Sequence, residues 1–189
     1  MACNSIISDE NIKEAFNTDN IKASFMKATY CERDDIKTAF IDIEKNGKKL
    51  LEHCCIHKEY IKDIDYKFVK LQGIRIKTNL RNSGISKKII KRNIKIYRKE
   101  NFKCIKLNAI QDGMIVWSKL GFKFDNIKDE RTILRYFRDY LNEIKKIKNK
   151  GYTSIKSIDS SDFFDSKINF TDWLSENTKL YGLPMTMEL

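Results

Sequence analysis

The chain carries a single proline, Pro184, and only seven glycines in 189 residues. It therefore contains no proline-rich or glycine-rich linker, and no internal repeat or low-complexity tract is visible. No run of eighteen apolar residues occurs, which argues against a membrane-spanning helix. The opening residues, MACNSIISDENIKEAF, lack a basic flank leading into an apolar stretch, so no secretory leader is expected. The five cysteines (Cys3, Cys31, Cys54, Cys55 and Cys104) are an odd set without a CxxC pair. Free thiols in a reducing cytoplasm fit that set better than a disulfide framework does. No Ser-His-Asp or Cys-His arrangement argues for a covalent enzyme intermediate.

What is present is a foldable core and a strongly localised charge. Hydrophobic residues make up 41% and aromatic residues 11%, enough for one folded domain of this length despite 33% charged residues. The net charge of +11 is unevenly spread. Residues 1–60 hold 9 basic and 11 acidic side chains, net −2, while residues 61–110 hold 15 and 3, net +12. Residues 111–150 give 10 − 6 = +4 and residues 151–189 give 3 − 6 = −3. A polyphosphate ligand or a nucleic acid would explain that placement, as would a lysine-rich solvated surface.

Along the chain, segment 9–29 reads as helical, with Ile12, Phe16, Ile21, Phe25 and Ala28 at helical spacings around a break at 17–20. Segment 36–44 alternates and meets Asn46-Gly47, a hairpin signal because both turn positions favour positive φ. The return strand is expected at 49–58 and a third strand at 66–77, with Gly73 marking a bulge or a close backbone approach. Helix 85–99 is expected to turn Ile85, Ile89, Ile90, Ile94 and Tyr97 to the core, with lysines and arginines over its other faces. Strand 103–109, helix 113–120 and a strand from Phe122 follow. A second amphipathic helix is expected at 129–148, a further helix at 170–177, and a last strand around 185–189.

The densest information lies between Leu71 and Phe124. A strand (LQGIRIKT) runs into a tight turn (NLRNSGIS), a basic helix, a strand and GMIVWSKLGFKF. Arg81, Gly84 and Ser86 stand in the spacing [QR]-x-x-G-x-[GA], with serine in the last place. Such a turn aims backbone N–H groups and the positive end of a helix dipole at one point, making an anion site. Together with WSKLGF after the next strand, this resembles the acyl-CoA-binding core of the GNAT N-acetyltransferase superfamily over roughly residues 36–125. The resemblance implies an α/β fold with a mostly antiparallel central sheet. The whole of 1–189 would form one domain, with 129–180 a helical insertion before the last strand.

The resemblance also implies a chemistry. Backbone N–H groups from about Asn82 through Ser83, Gly84 and Ile85 to Ser86 would cap the pyrophosphate of coenzyme A, with Arg81 and Lys87 pairing its charge and the Ser86 hydroxyl adding a bond or capping the helix. A backbone N–H around Ile74 to Ile76, on a strand splayed from its neighbour, would support the oxyanion. The family's usual tyrosine acid stands four residues before the terminal glycine. Here that position is Trp117, whose indole cannot supply a proton near neutral pH. Trp117 is read rather as a core aromatic under the last strand, leaving water, Tyr152 or Tyr181 to discharge the thiolate. Candidate bases are His57, Glu59, Asp63 and Asp65, each also readable as a solvated strand-end or loop residue. His53, Cys55 and His57 alternate as in a zinc-binding strand, but with no partner pair elsewhere, so no metal is expected.

The expected function is transfer of an acetyl group from acetyl-CoA, or a related acyl-CoA, to an amine by direct attack. The acceptor is left open among a protein amine, an RNA-linked amine such as a charged tRNA, and a small molecule. The basic helix 85–99 favours a polyanion. The rival expectation is a non-catalytic GNAT-like module binding nucleic acid or a protein partner.

Overall fold

The computed structural model describes residues 7–18, 21–31, 36–51, 53, 55–63, 66–77, 79, 83–110, 113–147, 150–159, 162, 169–178, 180 and 182–189, without the side chains of 24–31 and 61–63. Eight strands, paired mostly antiparallel, and five α-helices are described, so the protein is of the expected α/β class. Two compact units emerge: Met1–Leu107 with Glu188–Leu189, and Asn108–Met187. No described helix is long and apolar enough to cross a membrane.

The first unit opens with α1 (Asp9–Phe16). Ser8 caps it by accepting the Asn11 N–H at 3.1 Å, and Asp9 and Glu10 sit at the positive end of its dipole. It buries Ile12, Ala15 and Phe16. The side chain of Asn17 then accepts the Ala23 N–H at 2.6 Å and the chain enters β1 (Lys22–Cys31). The helix expected across 9–29 therefore gives way to a strand in its second half. A bulge between Phe25 and Lys27 interrupts the period-two pattern, so the apolar spacing there mimics a helical one.

β2 (Ile36–Lys45) runs into Asn46 and Gly47, whose φ values of 52° and 74° are those of a tight hairpin turn. β3 (Lys48–Lys49) pairs Lys49 with Glu44. The chain then leaves the ladder, and β4 (Cys55–Asp63) rejoins β2 with Cys55 opposite Ile41 and Tyr60 opposite Ile36. The continuous return strand expected at 49–58 is thus broken. Leu50 and Leu51 are both buried, and adjacent residues of a regular strand cannot share a face. Leu51 bridges Ile76 instead, and the Leu50 carbonyl accepts the Lys77 N–H at 2.9 Å.

β5 (Tyr66–Gln72) lies antiparallel to β4 on one side and parallel to β6 (Cys104–Ala109) on the other. The order in this unit is β1-β2-β4-β5-β6. A parallel pair needs a crossover, and α2 (Ile85–Lys99) supplies it. α2 buries Ile89, Ile90, Asn93, Ile96 and Tyr97, whereas Ile85 and Ile94 are only half-buried. The buried stripe is rotated from the expected one because α1 covers that side. Asn93 Nδ2 donates to the Ala15 carbonyl, and Arg92 pairs with the Glu14 carboxylate.

The second unit holds α3 (Gly113–Lys119), β7 (Lys123–Phe124), α4 (Ile127–Glu143), a 3-10 turn (Ile155–Ser157), α5 (Phe170–Asn177) and all but the last residue of β8 (Leu183–Glu188). β7 pairs antiparallel with β8, Lys123 opposite Thr186. α4 stops at Glu143 and not at 148 as expected. Lys146 takes φ 55°, and the Ile147 N–H reaches back to the Leu141 carbonyl at 3.0 Å, a left-handed helix stop. The core here is aromatic: Phe137 meets Phe170 edge-on at 5.1 Å, and Phe170 stacks on Trp173 at 6.2 Å. Trp173 satisfies its indole N–H on Glu143 at 2.9 Å.

Candidate active site

The candidate anion site is built where β5 ends and α2 begins. Parallel pairing of β5 with β6 covers Phe68–Leu71 against Cys104–Leu107 and stops there. Gly73 then takes φ 77°, and Ile76 pairs with Leu51 on the opposite side from β6. The strand expected to run to 77 therefore ends at Gln72, and its continuation diverges from β6. The Arg75 N–H is turned onto the Gly73 carbonyl at 2.8 Å and that of Lys77 onto Leu50, while the Ile74 N–H makes no such bond among the described residues. Ile76 is buried and Ile74 half-buried.

Helix α2 starts at Gly84, which sits in the left-handed region at φ 75°, ψ 6°. Its carbonyl accepts the first helical N–H, from Lys88 at 3.1 Å. The N–H groups of Ile85, Ser86 and Lys87 precede the first carbonyl they could reach within the helix, so they point out of its end. Ser86 lies inside the helix and Gly84 occupies the capping position without a side-chain bond, so the capping role expected of Ser86 is not realised. No acidic residue stands in the first turn, and Ser83, Gly84, Lys87 and Lys88 are exposed. A Cβ built on Gly84 would meet nothing within 4 Å, so glycine is required here by backbone conformation and not by crowding. Arg81 and Asn82 lie outside the described residues, as do Asp65 and Tyr181.

The candidate bases occupy a different environment from the one expected. Cys55, His57 and Glu59 alternate along β4 and all three are buried. His57 Nδ1 shares a hydrogen bond of 2.9 Å with the hydroxyl of Tyr97 on α2, itself wholly buried, and His57 Nε2 has no partner among the described residues. Burial, with the nearby Lys37 charge, pushes the His57 pKa down to about 3. Glu59 accepts the Ile7 N–H on both carboxylate oxygens, at 3.2 and 3.1 Å. Burial raises its pKa to about 7, against the pull of that bond and of Lys67 and Lys37. Lys37 donates to the Ile7 carbonyl at 2.8 Å and pairs with Asp9. His57 and Glu59 thus clamp structure inside the first unit, and neither presents a solvent-facing base. The backbone of Asp63 closes β4, beyond a register shift at 61–63. His53 is exposed outside the strand, so the three-residue alternation His53, Cys55, His57 is not formed. Among the described residues no group of three metal-ligating side chains comes together.

Trp117 is a packing residue of the second unit. Its ring meets Phe122 edge-on at 5.6 Å, and a Cβ on Gly113 would fall 3.2 Å from its Nε1. Tyr152, an alternative acid, donates its hydroxyl to Asp162, which also pairs with Lys150. Burial and that bond push the phenol up.

No family model matches the chain, and no curated protein matches it. Solved structures do. The chain is similar to a GNAT family acetyltransferase from Elizabethkingia anophelis with acetyl-CoA bound, at 15% identity, a TM-score of 0.46, and 91% of this chain against 100% of that one. It is similar to an acetyltransferase of Bacillus subtilis in complex with CoA, at 14% identity, TM-score 0.41, covering 89% and 99%. An IAA acetyltransferase from Bacillus cereus stands at 11% identity, TM-score 0.43, with the same coverage of 89% and 99%.

Tyr97, Asn93, Lys37 and Ile7 have polar roles that the sequence reading passed over. Asn93 carried a signal: an amide inside an otherwise apolar helical stripe asks for a buried partner. Tyr97 falls on the core stripe expected of the helix, but its hydroxyl bond to a histidine forty residues earlier has no local signature.

Proposed function

We propose that the protein is an acyl-CoA-dependent N-acyltransferase, with acetyl-CoA as donor and an amine as acceptor. The observation that carries this reading is the left-handed Gly84 at the start of α2. It leaves the N–H groups of Ile85, Ser86 and Lys87 pointing outward in a turn with no acidic residue. Those donors and the Lys87 ammonium would take the pyrophosphate of the cofactor. The divergence of residues 73–77 from β6 supports a place for the extended arm. The Ile74 N–H would then support the carbonyl oxygen as charge develops on it. The amine attacks the thioester carbon directly, the tetrahedral oxyanion collapses, and the thiolate departs. A thiol with an ordinary pKa of about 8.5 leaves tolerably without a dedicated acid.

Calorimetric titration with acetyl-CoA, followed by CoA release with protein, polyamine and aminoacyl acceptors, tests the reading. Binding with turnover is the expected outcome. The burial of His57, Glu59 and Trp117 favours a second reading, a GNAT-like module that binds acyl-CoA without catalysis. Tight binding with no turnover on any acceptor would select it. No measurable binding would remove both.

A further inference from the structure

The geometry points to a nucleic-acid docking face on α2, formed by Lys87, Lys88, Lys91, Lys95, Arg98 and Lys99 and taking a duplex by its phosphates without sequence choice. All six side chains are exposed. At about 100° per residue they fall within roughly 120° of arc, centred opposite the buried stripe of Ile89, Ile90, Asn93, Ile96 and Tyr97. From Lys87 to Lys99 the face is about 18 Å long at about 1.5 Å per residue. Over that length a duplex presents about ten phosphate charges, at about one per 1.7 Å.

Two carboxylates beside α2 are already engaged. Glu14 is taken by Arg92, at the edge of the arc, and Glu100 accepts from Asn11 of α1 at 2.7 Å. None of the six cations makes an ion pair with a described residue, and helix 85–99 contains no acidic residue. A cationic face without internal neutralisation complements a polyanion.

The chemistry of the arc selects among polyanions. A membrane surface would call for an apolar helix face to insert, and the apolar face of α2 is already buried in the core. A protein partner would call for an aromatic or apolar centre, which the arc lacks. Reading bases or stacking on a single strand needs amides or aromatic rings, yet Asn93 and Tyr97 point inward. Lysine-rich contact with a duplex backbone remains. This face shares only Lys87 with the acyl-CoA reading and otherwise stands apart from it.

The test is fluorescence anisotropy of a labelled 20-base-pair duplex of arbitrary sequence, in RNA and DNA forms, over a salt series. Six phosphate contacts should give a log–log salt slope of about −5 and lose about a thousandfold in affinity between 50 and 200 mM salt. The variant Lys91→Gln, Lys95→Gln, Arg98→Gln, Lys99→Gln should flatten the slope to about −2. A control removing the same charge elsewhere (Lys123→Gln, Lys128→Gln, Arg131→Gln, Lys156→Gln) should leave it near the wild-type value. Equal losses in both variants would overturn the proposal, as would no duplex binding at 50 mM salt. Binding to phosphatidylserine vesicles in preference to both duplexes would overturn it too. Acetyl-CoA affinity, titrated in parallel, should be the same in wild type and the α2 variant.

Discussion

The imidazole of His57 and the phenol of Tyr97 meet at 2.9 Å in a place where neither has any access to water. The two come from β4 and α2, forty residues apart, and their bond ties the crossover helix to the sheet. With His57 Nε2 already without a partner among the described residues, the imidazole has only this bond to lose.

Tyr97→Phe should therefore destabilise the protein by about 1–3 kcal/mol, since it leaves a second buried imidazole nitrogen unsatisfied. Chemical denaturation would show it as a lower midpoint with an unchanged m-value. A variant as stable as wild type would mean that the bond contributes nothing net.

Glu59 and His57 should pull the pH dependence of stability in opposite directions. The folded-state pKa of Glu59 is raised to about 7, so its contribution is present below about 4.5 and is lost as the pH rises through 7. That of His57 is lowered to about 3, so its contribution is present above about 6.5 and is lost as the pH falls toward 3. In Glu59→Gln only the histidine slope remains. Between pH 6.5 and 4.5 the variant should lose stability more steeply than wild type, and at pH 8 it should gain on it. The scale is on the order of 2–3 kcal/mol, as an upper bound. Parallel stability–pH curves for the two proteins would refute the assignment.

At Gly84 the expected ranking follows backbone conformation. With φ at 75° and open space around a Cβ, Asn should be tolerated best, Ala worse and Val worst. The penalty is about 1–2 kcal/mol for an ordinary side chain in the left-handed region. Acetyl-CoA affinity should fall in the same order, because relaxing the strain re-aims the N–H groups of residues 85–87. Equal affinity in the valine variant would separate this turn from the cofactor.

Trp117→Ala should cost about 3–5 kcal/mol, because its ring fills the space between Phe122 and Gly113. A melting curve decides it. If stability holds and only the Michaelis constant for the acceptor rises, Trp117 lines a substrate pocket and is not packing.

The parts of this fold legible in the sequence are those whose signals are local. The Asn46-Gly47 turn, the amphipathic pattern of α2, the alternation of β2 and the glycine at 84 each announce themselves within a few residues. β1 did not, because its bulge put apolar residues at a helical spacing. The broken return strand did not, because Leu50 and Leu51 are drawn toward Lys77 and Ile76, contacts that no local pattern contains. His57 and Glu59 looked like loop-end residues suited to proton transfer. Their burial follows from α1 and α2 packing over β4, a tertiary fact that polarity alone cannot signal.

The gap after the Asn46-Gly47 turn has a consequence of parity. Across the turn Glu44 faces Lys49, yet farther on Ile41 faces Cys55, an offset of three residues. Three is odd, and side chains alternate, so the offset inverts β4 relative to a hairpin that ran on unbroken. Cys55, His57 and Glu59 look inward with Ile41, Ala39 and Lys37 only because of it. In an uninterrupted hairpin Ile56 and Lys58 would take the inner side, and a histidine and a glutamate would stand in solvent. Removing one residue from 50–54 would restore the parity, so that even an uninterrupted hairpin would set Cys55, His57 and Glu59 on the inner side.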